Sequence, residues 1–408
     1  MATSESKTGT DNDNTLLETD PDVVLDIRDL KTSFYTYEGV VRALDGVTVE
    51  LRRGQTLALV GETGCGKSVT AKSIMRLVES PGKIEHGQVI FQDLDADGNR
   101  QFRDLLKLSV DEMMHIRGNK IAIVFQDPAT YPNPVFRVGS QIAEVISLHQ
   151  DQARDVVEMK IQELEDALAK NPAAPQAEEI QTRIEEYRAQ LDDPPPPSSG
   201  DIKKVANKKA VDMLALVRMP YAEEVAKQYP HELSGGMRQR ALIAMALACS
   251  PEILICDEAT TALDVTVQAQ VLKLLNDLKS EIGASIIIIT HDLGVVAETC
   301  TNVAVMYAGV VVEYASTDEL FSDPLHPYTL GLLKAIPKLT EKEDRLLQIL
   351  GTVPNLINPP TGCRFHPRCE FATGICSEKR PPREEMKPEH WVECFHPQGS
   401  MIGRGGKQ

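Results

Sequence analysis

The chain has 408 residues, which is enough for two or three structural units with large cores. Its 60 acidic residues outnumber its 43 basic residues and give a formal net charge of −17, which argues against a general nucleic-acid-binding surface. No apolar run approaches the roughly 18 residues of a membrane span, and residues 1–22 are polar without the pattern of a signal peptide. We therefore expect a disordered tail over residues 1–22 and a cytosolic protein.

An alternating pattern over residues 23–54 predicts antiparallel strands. Three aromatic residues interrupt it, namely Phe34, Tyr35 and Tyr37. One of these rings is expected to stack on an adenine base, and Phe34 is slightly favoured because it lies at the end of the first strand. Packing of the rings on the sheet is the alternative interpretation.

Residues 61–68 match the pattern Gly-x-x-x-x-Gly-Lys-[Ser/Thr] and form the central motif of the chain. An apolar run over 56–60 precedes them and predicts a strand, and helical spacing follows over 67–78. In this setting the glycines let backbone N–H groups turn toward a pyrophosphate, and the helix adds its positive N-terminal end. Lys67 is expected to reach the β and γ phosphates, and Ser68 to bind Mg²⁺ through its hydroxyl.

Three more apolar runs predict central strands of an α/β sheet, namely residues 120–125, 253–256 and 285–290. Polar residues follow these runs: Gln126, Asp257, Glu258 and His291. Because ligands of such sheets lie at the carboxyl ends of strands, these residues are expected to converge with the loop at 61–68. Asp257 then suits a Mg²⁺ partner, and Glu258 suits polarisation of an attacking water. Taken alone, Gln126 and His291 are more typical of ordinary turn, loop or core residues.

Residues 151–200 have a different composition. Apolar residues recur there at heptad spacing in two charged stretches, first Val157, Ile161, Leu164 and Leu168, then Ile180, Ile184, Tyr187 and Leu191. The pattern predicts two amphipathic helices folded into an antiparallel hairpin, closed by the Pro-rich linker 194–200. A partly disordered charged insertion is the alternative.

Four of the eight cysteines cluster near the C-terminus with the spacing Cys-x₅-Cys-x₆-Cys-x₁₇-Cys: Cys363, Cys369, Cys376 and Cys394. The surrounding segment is rich in Pro and Arg and poor in apolar residues, so it needs a cross-link to hold one shape. The wide spacing predicts a structural [4Fe–4S] cluster rather than a Zn²⁺ site, which usually draws on a Cys-x₂₋₄-Cys pair. Zn²⁺ and unligated thiols remain the alternatives, and a cytosolic location disfavours disulfides.

The segment Leu233-Ser234-Gly235-Gly236-Met237 resembles the signature motif of ABC-type ATPases. The other parts of that family's pattern occur in order, with Gln126 as the Q-loop, Asp257 and Glu258 as Walker B and catalytic carboxylate, Ala262-Leu263-Asp264 as the D-loop, and His291 as the switch histidine. The resemblance covers about residues 23–397 apart from the hairpin. It implies an α/β fold with a mixed sheet core, an antiparallel β subdomain and a helical subdomain.

The resemblance also implies the roles of individual residues. Catalytic roles fall to Glu258, His291, Lys67 and Gln126, and Mg²⁺ is bound by Ser68, Gln126 and Asp257. The residues expected to bind ATP are Phe34, Tyr35, Tyr37, Gly61, Glu62, Thr63, Gly64, Cys65, Gly66, Lys67, Ser68, Val69, Gln126, Ser234, Gly235, Gly236, Met237, Gln239, Asp257 and Asp264. Two such domains are expected to pair head to tail with two ATP molecules between them.

Further stretches resemble the ATP-binding subunits of oligopeptide/dipeptide importers, namely residues 260–270, 325–329 and 362–369. Relatives that import nickel or oligosaccharides share these features. The resemblance implies a second ATP-binding subunit, two membrane permeases and an extracytoplasmic solute-binding protein as partners, at the cytoplasmic face of the membrane. A heterodimer of ATPase chains is favoured over a homodimer. Ala259 and residues 130–134 depart from the family pattern.

A DNA-repair-type ABC ATPase is the rival from another class, because it also carries a coiled coil between the phosphate loop and the signature. The short hairpin, its lack of cysteine and the acidic balance of the chain disfavour it. The expected organisation is a tail over 1–22, an ATPase domain over 23–320 and a C-terminal domain over 321–408 with the four cysteines. The ATPase domain is expected to include a helical subdomain at about 127–250, with the insertion at 151–200.

Overall fold

The structure, a computed structural model, describes residues 20–94, 99–127, 130–171, 176–259, 265–335 and 349–399. Within these ranges the chain forms two compact units. The first contains residues up to Met113 and from Ile287 onward, and the second contains Met114–Ile286. Most of the predicted tail and the predicted D-loop, including Asp264, lie outside the described residues.

The first sheet of the first unit is antiparallel. Its strands are β1 (Val23–Thr36), β2 (Gly39–Arg52), β4 (Gly82–Leu94) and β5 (Arg100–Asp104), in the order β2-β1-β4-β5. β1 lies between two partners, because Ile27 pairs with Val49 of β2 and with Val89 of β4. All three side chains are buried, so the apolar alternation of the sequence marks the inner face of this sheet. The prediction of antiparallel strands over residues 23–54 is confirmed.

The second sheet of this unit is mixed. It contains β3 (Thr56–Val60), β8 (Ser285–Thr290), β9 (Asn302–Tyr307), β10 (Val310–Ser316), β11 (Glu384–Lys387) and β12 (His390–Val392). Neighbouring strands run β11-β12-β10-β9-β3-β8. β3 and β9 are parallel, whereas β10 is antiparallel to both β9 and β12. β3, β8 and β9 are buried along their whole length, as expected for strands covered on both faces.

The helices of the first unit are short. They are α1 (Lys67–Ile74), α10 (Leu293–Thr299), α11 (Thr317–Ser322), α12 (Pro327–Lys334) and α13 (Gly374–Glu378). The two boundaries between the units lie within α2 (Val110–Ile116) and within β8, whose first two residues belong to the second unit. Side-chain caps fix where several of them begin. Asp292 accepts hydrogen bonds from the N–H groups of Gly294 and Val295, and Ser316 accepts one from Glu319.

The C-terminal segment joins the second sheet through a buried carboxyl group. Glu313 of β10 is 0% exposed and pairs with Val392 of β12. Its carboxyl oxygens accept hydrogen bonds from the backbone N–H groups of Leu325 (2.7 Å) and His326 (2.9 Å) and from Nε2 of His390 (2.9 Å). One side chain therefore holds together β10, β12 and the start of α12.

An aromatic pair completes this junction. Trp391 is the only tryptophan of the chain, and its ring stacks on Tyr314 with centroids 5.8 Å apart. The guanidinium of Arg383 lies 3.7 Å from the centroid of the indole ring, close enough for a cation–π interaction. Burial raises the pKa of Tyr314 to about 12.

The second unit combines two parallel strands with helices. β6 (Ile121–Val124) pairs with β7 (Ile253–Asp257). The helices are α3 (Val138–His149), α4 (Ala153–Lys170), α5 (Ala177–Ala189), α6 (Ser199–Leu216), α7 (Ala222–Val225), α8 (Gly235–Leu247) and α9 (Val265–Ile282). α3, α6 and α8 pack on one another, and their buried side chains include Ile142, Ile146, Ala206, Ala210, Leu214 and Ala244. In the part of the chain that the structure describes, no helix is long and apolar enough to cross a membrane.

Helices α4 and α5 pack together through the heptad faces. Val157, Ile161 and Ile184 form one buried cluster, and Leu164, Ile180, Tyr187 and Leu191 pack against it. The first turns of α4 also contact α6, where Val156 and Met159 meet Val205. α6 begins inside the predicted linker, because the Ser198 side chain caps it by accepting the N–H of Asp201. The predicted boundaries of 151–200 therefore cut through a packed interface.

Candidate active site

The loop at 61–68 joins β3 to α1 in a conformation that depends on glycine. Gly66 has φ +109°, and a Cβ atom there would lie 2.8 Å from the carbonyl oxygen of Ala43. Gly61 is equally confined, since a Cβ would lie 2.2 Å from the carbonyl oxygen of Met306. Lys67 is buried, and its Nζ donates to the carbonyl oxygens of Gly61 (2.8 Å) and Glu62 (3.1 Å). The side chain of Lys67 therefore folds back onto the loop at 61–68. This is the loop that the sequence motif predicts to bind phosphate.

Glu62 ties this loop to the C-terminal region. Its backbone N–H donates to the hydroxyl of Tyr328 at 2.9 Å. Its carboxylate receives two hydrogen bonds from the guanidinium of Arg368, at 2.7 and 3.1 Å. The hydrogen bonds to Glu62 raise the pKa of Arg368. Sequence reasoning missed both partners, and the only signal for Arg368 was its place in the run from Gly362 to Cys369.

His291 lies in the same unit, directly after β8, the neighbour of β3 in the sheet. Its side chain is exposed. The next residue, Asp292, caps α10 and so fixes the turn between the strand and the helix.

The second unit brings two predicted catalytic residues together. Gln126 follows β6 and Glu258 follows β7, and these strands are parallel neighbours that end on the same side. Nε2 of Gln126 donates to Oε2 of Glu258 at 2.7 Å. Glu258 has φ +47°, a left-handed conformation that is uncommon for a residue with a side chain. Asp257, the last residue of β7, is 5% exposed.

The signature segment forms the start of α8. Ser234 is the N-cap, and its hydroxyl accepts the N–H of Met237 at 3.3 Å. Ser234 and Gly235 are exposed, so the positive end of the helix faces outward. Gly236 packs closely on α9, because a Cβ there would lie 2.8 Å from a methyl group of Val267. Gln239 is 0% exposed on the inner face of α8, and its contact with nucleotide stays a prediction.

The three predicted adenine-stacking residues differ in how open they are. Phe34 is half-buried, and its ring lies against Gly82. Tyr35 is 47% exposed, bonds through its hydroxyl to Glu85 and has the Lys83 ammonium 5.5 Å from its ring centroid. Tyr37 is 97% exposed just beyond the end of β1. Only Tyr37 presents an open ring face.

The four C-terminal cysteines line one small cavity together with three histidines and three phenylalanines, namely His326, His366, His396, Phe365, Phe371 and Phe395. All four are free thiols. Within the described ranges, no group of three or more His, Cys, Asp or Glu side chains has an arrangement that could hold a metal ion. Burial raises the pKa of the Cys363 and Cys369 thiols and that of Cys394 to about 12. Binding of a metal would therefore have to displace protons from them.

The model of the ABC transporter family matches residues 44–261, more than half of the chain. The chain belongs to the ABC transporter family. It is an ABC-type ATPase and has the α/β cassette fold with a mixed sheet. A second model, described as the oligopeptide/dipeptide transporter C-terminal region, matches residues 312–376 of this ABC transporter chain.

Relatives of this ABC transporter chain are similar along nearly the whole sequence. It is 46% identical to the probable peptide ABC transporter ATP-binding protein y4tR of Sinorhizobium fredii, over 92% of this chain and 95% of that protein. It is 42% identical to the oligopeptide transport ATP-binding protein OppD of Bacillus subtilis, over 93% of this chain and 91% of that protein. The corresponding values for OppD of Escherichia coli are 41%, 95% and 97%.

A solved structure supports the fold of the cassette. The dimeric structure of a bacterial ABC transporter cassette matches with a TM-score of 0.51 and 22% identity, over 72% of this chain and 98% of that one. At this identity the likeness concerns the fold alone.

Proposed function

We propose that this chain is the ATP-hydrolysing subunit that powers uptake of oligopeptides or dipeptides through separate membrane subunits. The observation that carries the proposal is the identity of 41 to 46%, across more than nine-tenths of the chain, to proteins named for peptide or oligopeptide transport. The match of residues 312–376 to the oligopeptide/dipeptide C-terminal region supports the same substrate class. Import of oligosaccharides or nickel by the same machinery is the alternative.

Uptake by cells that lack the chain tests this proposal. We expect loss of uptake of a labelled tripeptide and pentapeptide, and recovery with the wild-type chain but not with Lys67→Ala. Labelled maltotriose and Ni²⁺ serve as the competing solutes. Peptide uptake that is unchanged without the chain, together with lost uptake of either competitor, would assign the machinery to that other solute.

The roles proposed for the nucleotide-site residues follow the geometry of each unit. In the first unit, residues 61–68 bind the phosphates, Lys67 neutralises the β and γ groups, and Ser68 binds Mg²⁺. In the second unit, Glu258 polarises the attacking water, and Gln126 orients the carboxylate that it contacts. Asp257 binds Mg²⁺ directly or through water.

His291 and the signature complete the proposed catalytic set. His291 contacts the γ-phosphate, and the exposed N-terminus of α8 with Ser234 faces the nucleotide of a paired subunit. Contact of the buried Gln239 with nucleotide stays a prediction.

We assign adenine stacking to Tyr37 rather than to Phe34. The half-buried Phe34 and the Lys83-covered Tyr35 each have less free ring surface than Tyr37. An exposed ring stacks on a base without first losing other contacts, so its binding energy is available to the nucleotide.

The four cysteines are proposed to hold a structural [4Fe–4S] cluster, with Zn²⁺ as the alternative. Their gathering around one cavity supports a shared ligand. A structural Zn²⁺ site usually draws on a closely spaced Cys-x₂₋₄-Cys pair, which the four cysteines lack. A cluster spreads its thiolates over four iron atoms and so accepts ligands that are farther apart. The cluster would supply a cross-link for a segment with few apolar residues.

Anaerobically purified protein decides between these ligands. We expect about four iron atoms and about four acid-labile sulfides per chain, together with a broad visible absorption band. A colourless sample with one Zn²⁺ per chain would overturn the cluster in favour of zinc.

The partners and location follow from the family. We propose that the chain pairs with a second ATP-binding subunit, a heterodimer being favoured, and works with two permeases and an extracytoplasmic binding protein. It would bind them at the cytoplasmic face of the membrane. The finer organisation is proposed as an ATPase domain over 23–320, a C-terminal domain over 321–408 and an insertion at 151–200.

A further inference from the structure

We propose that Arg368 is a positioning residue for nucleotide binding, because it neutralises and anchors Glu62 inside the phosphate loop. This inference rests on the proposed role of residues 61–68 as the phosphate-binding loop. The ligand class is a nucleoside triphosphate with its divalent cation. Arg368 acts through Glu62 and the loop backbone, without touching the reacting atoms itself.

The Arg368 side chain is held in place by several contacts. Its side chain is only 6% exposed. Besides the two bonds to Glu62, Nε donates to the carbonyl oxygen of Leu350 at 2.8 Å, and Nη2 donates to the carbonyl oxygens of Ile349 (3.2 Å) and Gly351 (3.3 Å). A guanidinium held by three carbonyl oxygens has a fixed direction, and so it holds the carboxylate in a fixed place.

A second contact fixes the same residue of the loop from its backbone side. The Tyr328 hydroxyl accepts the N–H of Glu62, and the Tyr328 ring packs against Phe365 with centroids 5.3 Å apart. Phe365 and Arg368 belong to one turn of the chain, so a single short segment holds both the backbone and the carboxylate of Glu62.

The charge at Glu62 makes this anchor relevant to binding. A carboxylate in a loop that receives a polyanionic triphosphate repels it, and the bidentate guanidinium offsets that repulsion. Loss of Arg368 would leave the negative charge in place and release the loop. Having to order one loop residue on binding corresponds to about a tenfold loss of affinity.

A double-mutant cycle on the purified chain separates these effects. Affinity for Mg²⁺ with a non-hydrolysable ATP analogue is measured for Arg368→Ala, Glu62→Gln and the double variant. We expect Arg368→Ala to raise Kd by about tenfold, and the double variant to recover only the part of the loss that comes from the uncompensated charge, so that its effect is smaller than the sum of the two single effects. Added salt should shrink the difference between Arg368→Ala and wild type, because it screens the repulsion.

Arg380→Ala is the matched control. Arg380 lies in the same C-terminal region, pairs with Glu393 at 3.0 Å and donates to the carbonyl oxygen of Asp45, so its loss should leave Kd unchanged. Thermal unfolding checks that each variant is folded. If Arg368→Ala does not fold, Arg368→Lys replaces it. The lysine keeps the positive charge but cannot make the bidentate contact with Glu62. We expect its Kd to lie between those of wild type and Lys67→Ala.

Lys67→Ala distinguishes failure of this inference from failure of the proposed site. If Lys67→Ala loses binding while Arg368→Ala stays within about twofold of wild type, the positioning role is refuted and the phosphate loop stands. Simple addition of the effects of Arg368→Ala and Glu62→Gln would also refute it. If Lys67→Ala binds as well as wild type, the proposed loop itself is wrong.

Discussion

Replacing Glu313 by Gln should strongly destabilise the junction between β10 and the C-terminal segment. Its two carboxyl oxygens receive three N–H donors, and the side chain is completely buried. A Gln side chain keeps one acceptor oxygen and turns its NH₂ group toward at least one of those donors. Two buried donors then face each other without an acceptor, and each costs roughly 1–3 kcal/mol. We expect a loss of about 3 kcal/mol in the free energy of unfolding.

The single tryptophan makes this loss measurable. Trp391 neighbours His390 on β12, so its fluorescence reports directly on docking of the segment. With a urea m value of about 1–3 kcal/mol/M, the midpoint of the fluorescence transition should fall by roughly 1–3 M. Circular dichroism on the same samples shows whether the rest of the chain unfolds with it.

Glu319→Gln provides the matched control. Glu319 is 43% exposed, pairs with Lys387 and lies 3.8 Å from Nδ1 of His390, and exposed pairs contribute only about 0.2–1 kcal/mol. Its midpoint should therefore lie close to that of wild type. Equal midpoints for Glu313→Gln and Glu319→Gln would refute the reasoning, because burial of the Glu313 carboxyl group and its three N–H donors would then make no difference to stability.

Three further predictions concern activity. Glu258→Gln should retain ATP binding while kcat of the assembled transporter falls by about 10²–10⁴-fold, because the shape stays and the carboxylate that polarises water is gone; a near-normal rate would contradict this. Tyr37→Ala should raise KM for ATP with little change in kcat, whereas Phe34→Ala should not, and equal KM values for both variants and wild type would remove the stacking role. Replacing residues 151–200 by a Gly/Ser linker should preserve basal ATPase activity but lower the melting temperature, because Val205 loses its contacts with α4. A folded variant that no longer hydrolyses ATP would show that the hairpin takes part in the mechanism.

Much of the fold follows from local patterns. The apolar runs before Gln126 and at 253–256 form paired parallel strands, because a run of that kind is stable only when covered on both faces. That pairing explains why Gln126 and Glu258, 132 positions apart, come within hydrogen-bonding distance. The apolar run at 56–60 and the helical spacing from Lys67 likewise predicted β3 and α1 on either side of the loop, although α1 ends at Ile74 and not at residue 78.

Long-range side-chain contacts could not be predicted in this way. Arg368 and Glu62 are 306 positions apart, and neither periodicity nor charge singles out one arginine among many as the partner of one carboxylate. Burial of individual residues was similarly hidden. Gln239 lies within the signature helix and is 0% exposed, and the family resemblance that implied its contact with ATP gave no information on its burial. The choice among Phe34, Tyr35 and Tyr37 depended on Lys83 and Gly82, which lie on another strand.

The pairing of β12 with β10 has a consequence for how the chain is made. β12 covers a strand edge whose free N–H and C=O groups would otherwise be a template for another chain. During synthesis β10 emerges about 80 residues before β12, which at roughly 5–20 residues per second leaves that edge open for several seconds. Nascent chains on neighbouring ribosomes are then exposed to wrong strand pairing. We therefore expect a stop codon after Ser322 to yield aggregates rather than a soluble shorter ATPase.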